Sequence, residues 1–176
     1  MGKYRKIARE ISFRTLYAYD FRKNEDIYDL LEEVIKNVRS SLHPKIIDYS
    51  YKILGSYEEN KKTVDEIIKK YLERWRLERL GYPERAFLRL GTTELLFSDI
   101  DDKGRVFIDI LDLAKCYLGI PESLRFINGV LSSIYKNEKP EASQNIINNI
   151  DIEKFIEENF KKDNNLEKDD ENSDNR

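Results

Sequence analysis

From about residue 8 to residue 135, apolar side chains recur at helical spacing and almost nothing interrupts them. The 176 residues hold only seven glycines and four prolines, so breakers are too few for a chain of short strands and turns. Ala8, Ile11, Ser12, Thr15, Leu16 and Tyr19 mark one face of a first helix. Ile27, Leu30, Leu31, Val34, Ile35 and Val38 mark a second, with Asp26 as its N-cap. Pro44 opens a third, which carries Ile46, Ile47, Ser50, Ile53, Leu54 and Tyr57. Thr63 is read as the cap of a separate, shorter helix through Val64, Ile67, Ile68 and Tyr71.

Leu80-Gly81-Tyr82-Pro83 reads as a stop and a restart. The following ERAFLRLGTTELLF is apolar on more than one side, which marks a helix near the centre. A polar connector over 98–104 leads to Val106, Ile110, Leu113, Ala114 and Tyr117, stopped at Gly119. Pro121 then opens a helix with Leu124, Ile127, Leu131 and Ile134 on one side. No stretch alternates with period two. The expected fold is all-α, a compact bundle of about seven helices over residues 1–137.

Residues 138–176 read differently, as a polar acidic tail rich in Asn, Glu, Lys and Asp. Within it Ile152, Phe155, Ile156 and Phe160 keep helical spacing behind Asp151, so a short helix over 151–161 either docks on the body or forms transiently. From Lys161 onward disorder is expected, because little apolar surface remains to offset ordering entropy. A single cysteine, Cys116, excludes an internal disulfide framework and fits a reducing compartment. The charged start has no secretory h-region and no apolar run reaches membrane-spanning length, so a cytoplasmic location is expected.

Catalysis finds no constellation to stand on. His43 precedes Pro44 as a surface or capping residue, and Cys116 reads as a buried thiol packing as a small hydrophobe. One His and one Cys cannot assemble the usual zinc ligand sets, and no phosphate-cradling glycine loop is present, so neither metal nor cofactor is expected. Glu94, inside the central helix, is expected to pair with Arg89 or a backbone group.

Charge distribution says more than the net charge of −3. Lys3, Arg5, Lys6, Arg9 and Arg14 crowd the first helix, opposed only by Glu10. Cations there oppose the helix dipole, which makes sense if a polyanion supplies the counter-charge; a solvated charged face is the alternative. Tyr4, Tyr17 and Tyr19 interleave with them and could stack bases. A second signal is Arg125-Phe126-Ile127-Asn128, which gathers a charge for phosphate, a ring for stacking and an amide for base reading. Phe126 could equally pack on a neighbouring helix.

The chain resembles the NusB family of bacterial transcription antitermination factors. The resemblance rests on Ala8-Arg9-Glu10 with Leu16-Tyr17, then Glu84-Arg85-Ala86, Leu88-Arg89-Leu90 and Glu94-Leu95. Asp112-Leu113-Ala114-Lys115 and Phe126-Ile127-Asn128-Gly129-Val130-Leu131 complete it, in family order. It implies two helical subdomains and an RNA-binding protein without enzymatic activity. It also implies binding to boxA-type single-stranded RNA, especially in ribosomal RNA leaders, together with the ribosomal protein NusE in the RNA polymerase antitermination complex. Lys3, Arg5, Lys6, Arg9, Arg125, Phe126 and Asn128 then become the expected RNA contacts, and Tyr17 and Glu84 the expected NusE contacts. Homodimerisation is left open.

Three places depart from the family pattern: Asp101-Asp102-Lys103-Gly104-Arg105 where a proline is common, Asp109 for Glu, and Thr93 for an aromatic. The tail is longer than the family's usual end. Two other readings compete. One is a stand-alone RNA-binding domain related to that of ribosomal-RNA cytosine methyltransferases, and the other is a helical bundle that contacts only proteins.

Overall fold

Capping side chains and prolines divide the chain where the helical pattern pauses. A computed structural model describes residues 2–38, 40–100, 102–147 and 150–160, and every regular element among them is a helix. These are α1 (Gly2–Phe21), α2 (Ile27–Lys36), α3 (Pro44–Tyr71), α4 (Tyr82–Phe97), α5 (Lys103–Leu118), α6 (Pro121–Glu138), α7 (Pro140–Ile147) and α8 (Ile152–Phe160), with a 3₁₀ turn at Leu77–Arg79. Asp26 caps α2 by accepting from the Tyr28 and Asp29 amides at 2.7 and 3.4 Å. His43 caps α3 as expected: its Nδ1 accepts from the Lys45 amide at 3.2 Å, while Pro44 starts the first turn. Gly119, at φ 67°, adopts the left-handed turn that ends α5.

The separate helix expected behind Thr63 does not exist. Residues 44–71 form one rod, and Thr63 lies exposed within it. The polar run 58–62 consists mostly of good helix formers, with Glu58 and Lys61 paired at 2.6 Å. Buried Tyr57 and Val64 are seven residues apart, so the apolar stripe stays in phase across the run.

α4 is the central element. Its residues from Arg85 to Leu95 are all buried, and it packs on α1, α3, α5 and α6. α1, α2 and α3 form one packed group, while α5 and α6 pair on the other side of α4. Gly91 makes the α4–α6 approach feasible. A Cβ built there would stand 2.6 and 2.8 Å from the two Leu131 methyls and 3.1 Å from Ile110.

The tail is more ordered than expected as far as residue 160. α7, which was not anticipated, packs on α5 and α6. α8 docks on α6 and buries Ile156, with Asp151 capping it through the Lys154 amide at 3.0 Å. The disorder expected from Lys161, and Asp101 in the α4–α5 connector, lie outside the described residues.

The packing at Gly91 makes the first prediction. Gly91→Ala should lower stability by about 1–3 kcal/mol through overpacking, against the usual helix preference for alanine. Denaturant melts of the variant measure it; a gain in stability would mean Leu131 relaxes freely.

Candidate nucleic-acid interface

Of the basic cluster on α1, one member is internal. Arg9 is 0% exposed and does not face solvent, so its expected role as an RNA contact is corrected. Its Nε and Nη2 donate to the two Glu94 oxygens at 2.6 and 3.0 Å, and Nη1 donates to Asp109 Oδ2 at 2.5 Å. Tyr49 Oη donates to Glu94 Oε1 at 2.8 Å, and Arg105 Nε lies 2.8 Å from Asp109 Oδ1. Burial works against the Arg9 charge. Attraction and hydrogen bonding from Glu94, with help from Tyr49 and Asp109, outweigh it and raise the guanidinium pKa above its ordinary value. Burial, and then Glu94, pushes the Tyr49 phenol up as well.

The expected Glu94–Arg89 pair is likewise replaced. Arg89 donates to Asp65 through Nε and Nη2 at 2.8 and 2.9 Å and to Asp20 at 2.8 Å, while Arg85 Nε donates to the other Asp20 oxygen at 2.8 Å.

The remaining N-terminal cations do face outward. Lys3 is exposed, and Arg5 is half-buried with its guanidinium 5.6 Å from the centre of the Tyr49 ring. Lys6 reaches Asp112 at 2.7 Å but keeps 42% of its side chain exposed. α1 has no acidic residue in its first turn, so nothing there offsets the helix dipole for these cations. The interleaved tyrosines are mostly occupied: Tyr4 stacks on His43 at 4.6 Å, and Tyr19 packs edge-on against Tyr57 at 6.4 Å.

α6 carries the second group, apart from the first; α1 and α6 each pack on α4 and α5. Arg125 is exposed and Phe126 half-buried, so neither of the two open readings for Phe126 holds alone. Asn128 is 9% exposed, and its Oδ1 makes no hydrogen bond among the described residues, so it lies beneath the surface it was expected to present. Arg125 is itself engaged: Nε and Nη2 donate to the two oxygens of Glu153 on α8, at 2.9 and 3.0 Å. That fork raises the Arg125 pKa and lowers the Glu153 carboxyl below its ordinary range.

Tyr17 belongs to an exposed aromatic strip. Its ring meets Phe21 at 5.2 Å, and Phe21 meets Tyr82 at 4.1 Å. Glu84 stands two residues beyond Tyr82, about half a helical turn, and accepts from Ser123 Oγ at 3.3 Å. Cys116 is exposed, not buried as expected, because its place on α5 falls outside the stripe of Leu113 and Ala114. Among the described residues, no His, Cys, Asp and Glu grouping could hold a metal ion, and no helix is long and apolar enough to cross a membrane. Sequence reasoning passed over Trp75, which is 61% exposed; its signal was the Arg74-Trp75-Arg76 triplet.

The NusB family profile matches residues 6–136. The chain belongs to the NusB family. The transcription antitermination protein NusB of Persephonella marina is 59% identical over 139 residues, spanning 79% of this chain and 97% of that protein. The Aquifex aeolicus protein of the same name is 42% identical, over 76% of this chain and 88% of its own length. Among solved structures, the antitermination factors NusB and NusE in complex with dsRNA superimpose with a TM-score of 0.70 at 40% identity, covering 78% of this chain and 99% of that one. The solution structure of Aquifex aeolicus NusB gives 0.66 at 41% identity, over 76% and 88%. The NusB family match ends with α6, so α7 and α8 lie beyond it.

Because Arg9 is buried, Arg9→Gln should act on stability. Breaking a buried ion network by removing one partner costs about 3–5 kcal/mol. Thermal melts would show it, whereas Lys3→Gln should leave the midpoint nearly unchanged. An Arg9→Gln chain that melts like the parent would return Arg9 to the surface set.

Proposed function

We propose that this chain is an antitermination factor that takes up boxA-type single-stranded RNA with the ribosomal protein NusE and joins the RNA polymerase antitermination complex in the cytoplasm. The observation that carries the reading is the set of outward cations Lys3, Arg5 and Lys6 at the positive end of α1, in a first turn with no acidic residue. Asp112 meets Lys6 from the side, but like charge held at that helix end remains unfavourable, and a phosphate backbone supplies anions for it. The crystallised neighbour, NusB and NusE in complex with dsRNA, supports RNA and NusE as partners; the single-stranded boxA preference belongs to this proposal. Arg125 and Phe126 add a phosphate ligand and a ring, and Asn128 lies just beneath them with its Oδ1 unpartnered among the described residues. Tyr17, with Phe21 and Tyr82, offers an exposed apolar strip to the protein partner, while Glu84 is turned toward Ser123 of α6.

RNA affinity should fall with salt. Lys3, Arg5, Lys6 and Arg125, each neutralising one phosphate of a single strand, give a slope of log K against log salt of about −3. Replacing Lys3, Arg5 and Lys6 together by glutamine should flatten the slope without moving the melting temperature. Retention of a steep slope would place the backbone track elsewhere.

Glu153 holds Arg125 as a phosphate would, so bound RNA has to displace it. Glu153→Gln should therefore tighten RNA binding by roughly two- to fivefold, the scale of an exposed ion pair. The gain should vanish in an Arg125→Gln background. Because Arg125 lowers the Glu153 pKa, this ion pair contributes to docking of α8 above the ordinary carboxylate range and is lost as pH falls through the lowered pKa. Equal affinities of Glu153→Gln and parent would detach α8 from RNA binding.

A further inference from the structure

Trp75 is the chain's single tryptophan, and 61% of it is exposed on the connector between α3 and α4. A large aromatic left this open, away from any packed face, asks for a partner. Its neighbours Arg74 and Arg76 are exposed too, and among the described residues no ion pair engages their side chains. Two adjacent grooves, of about 330 and 380 Å³, share Trp75 and Phe126 as walls. The two rings thus stand on opposite elements, connector and α6, with open space on both sides.

Gly129 adds an independent observation. It lies inside α6 and lines the first groove, yet a Cβ built there would meet nothing within 4 Å. Packing therefore does not require glycine at this position, although glycine weakens a helix interior. Gly91, on α4, is the contrast, since there an added methyl would crowd Leu131 and Ile110. What glycine supplies at 129 is a groove floor without a side chain.

We propose that Trp75 and Phe126 form a stacking cleft for an unpaired RNA base, with Gly129 as its open floor. The inference rests on the RNA-binding reading and extends it to a residue on the connector. Every base has a π face that such rings can cover, and the outer rim supplies Arg74 and Arg125 for the adjoining phosphates. Glu73 and Glu122 share the rims, so the charge of the cleft is mixed. The stacking by the two rings, apart from the rim arginines, should be insensitive to salt.

The single tryptophan makes the test direct. The full chain is titrated with a boxA-containing single-stranded RNA oligonucleotide, following Trp75 emission and the anisotropy of the labelled RNA in parallel. Emission should be quenched and should saturate with the anisotropy, while the same sequence as a duplex should quench little. Trp75→Ala should weaken binding by on the order of tenfold, with the salt slope and melting temperature unchanged, and Trp75→Phe should restore most of it. Gly129→Ala should raise the melting temperature and yet weaken RNA binding. RNA that binds by anisotropy without changing Trp75 emission overturns the cleft, as does equal quenching by the duplex. Quenching by the protein partner alone, with none added by RNA, makes it a protein-docking groove and overturns it too. Absence of any RNA binding by anisotropy instead defeats the underlying RNA reading, and the cleft with it.

Discussion

Arg9 is the charge around which the molecule closes. A guanidinium with no exposure is expensive to bury, and it survives only because its donors are met by Glu94 of α4 and Asp109 of α5. Tyr49 brings α3 into the same cluster, and Arg105 balances the second carboxylate from the surface. Two cations and two anions from α1, α4 and α5 therefore meet beneath the N-terminal turns, so the cluster carries no net charge. Fixing α1 at this depth decides which of its basic residues look inward and which look out. The outward presentation of Lys3, Arg5 and Lys6 is a consequence of where Arg9 is anchored.

A second buried cluster does the same work at the other end of α1. Asp20 receives Arg85 and Arg89 from α4, and Arg89 also forks onto Asp65 of α3. Arg85 further donates to the Leu77 carbonyl at 3.2 Å, tying down the turn that follows Trp75. With both ends of α1 pinned to α4, the aromatic strip from Tyr17 to Tyr82 and the connector bearing Trp75 are held on a rigid base. Sites on a rigid base lose less entropy on binding.

α7 and α8 lie beyond the residues that the NusB family match covers. α8 lies on α6, buries Ile156 and aims Glu153 at Arg125. Lys115 of α5 reaches Asn159 at 3.3 Å and sits 5.8 Å from the centre of the Phe160 ring, so the helix is held at both ends. A carboxylate fork and a phosphate present similar acceptors to arginine, which couples the position of the extension to the charge state of the α6 surface.

The helical period, the caps Asp26 and His43, the prolines 44, 83 and 121 and the stop at Gly119 were legible because they act locally, within one turn of chain. So were the all-α class, the central place of α4 and the basic character of the first helix. The break expected at Thr63 failed because a polar run does not end a helix whose apolar stripe continues in phase. Which arginine of α1 is internal could not be read from α1 alone, since Arg9 differs from Arg5 only in facing Glu94 and Asp109, 85 and 100 residues away in sequence. The same holds for Trp75, which lines the same two grooves as Phe126 of α6, and for Arg125, whose partner lies on α8. The sequence by itself determined where helices begin and end, because those rules are short-ranged. Only the tertiary structure decided which charges are spent inside and which are offered to a ligand, because burial and ion pairing depend on residues that the chain brings together from far apart.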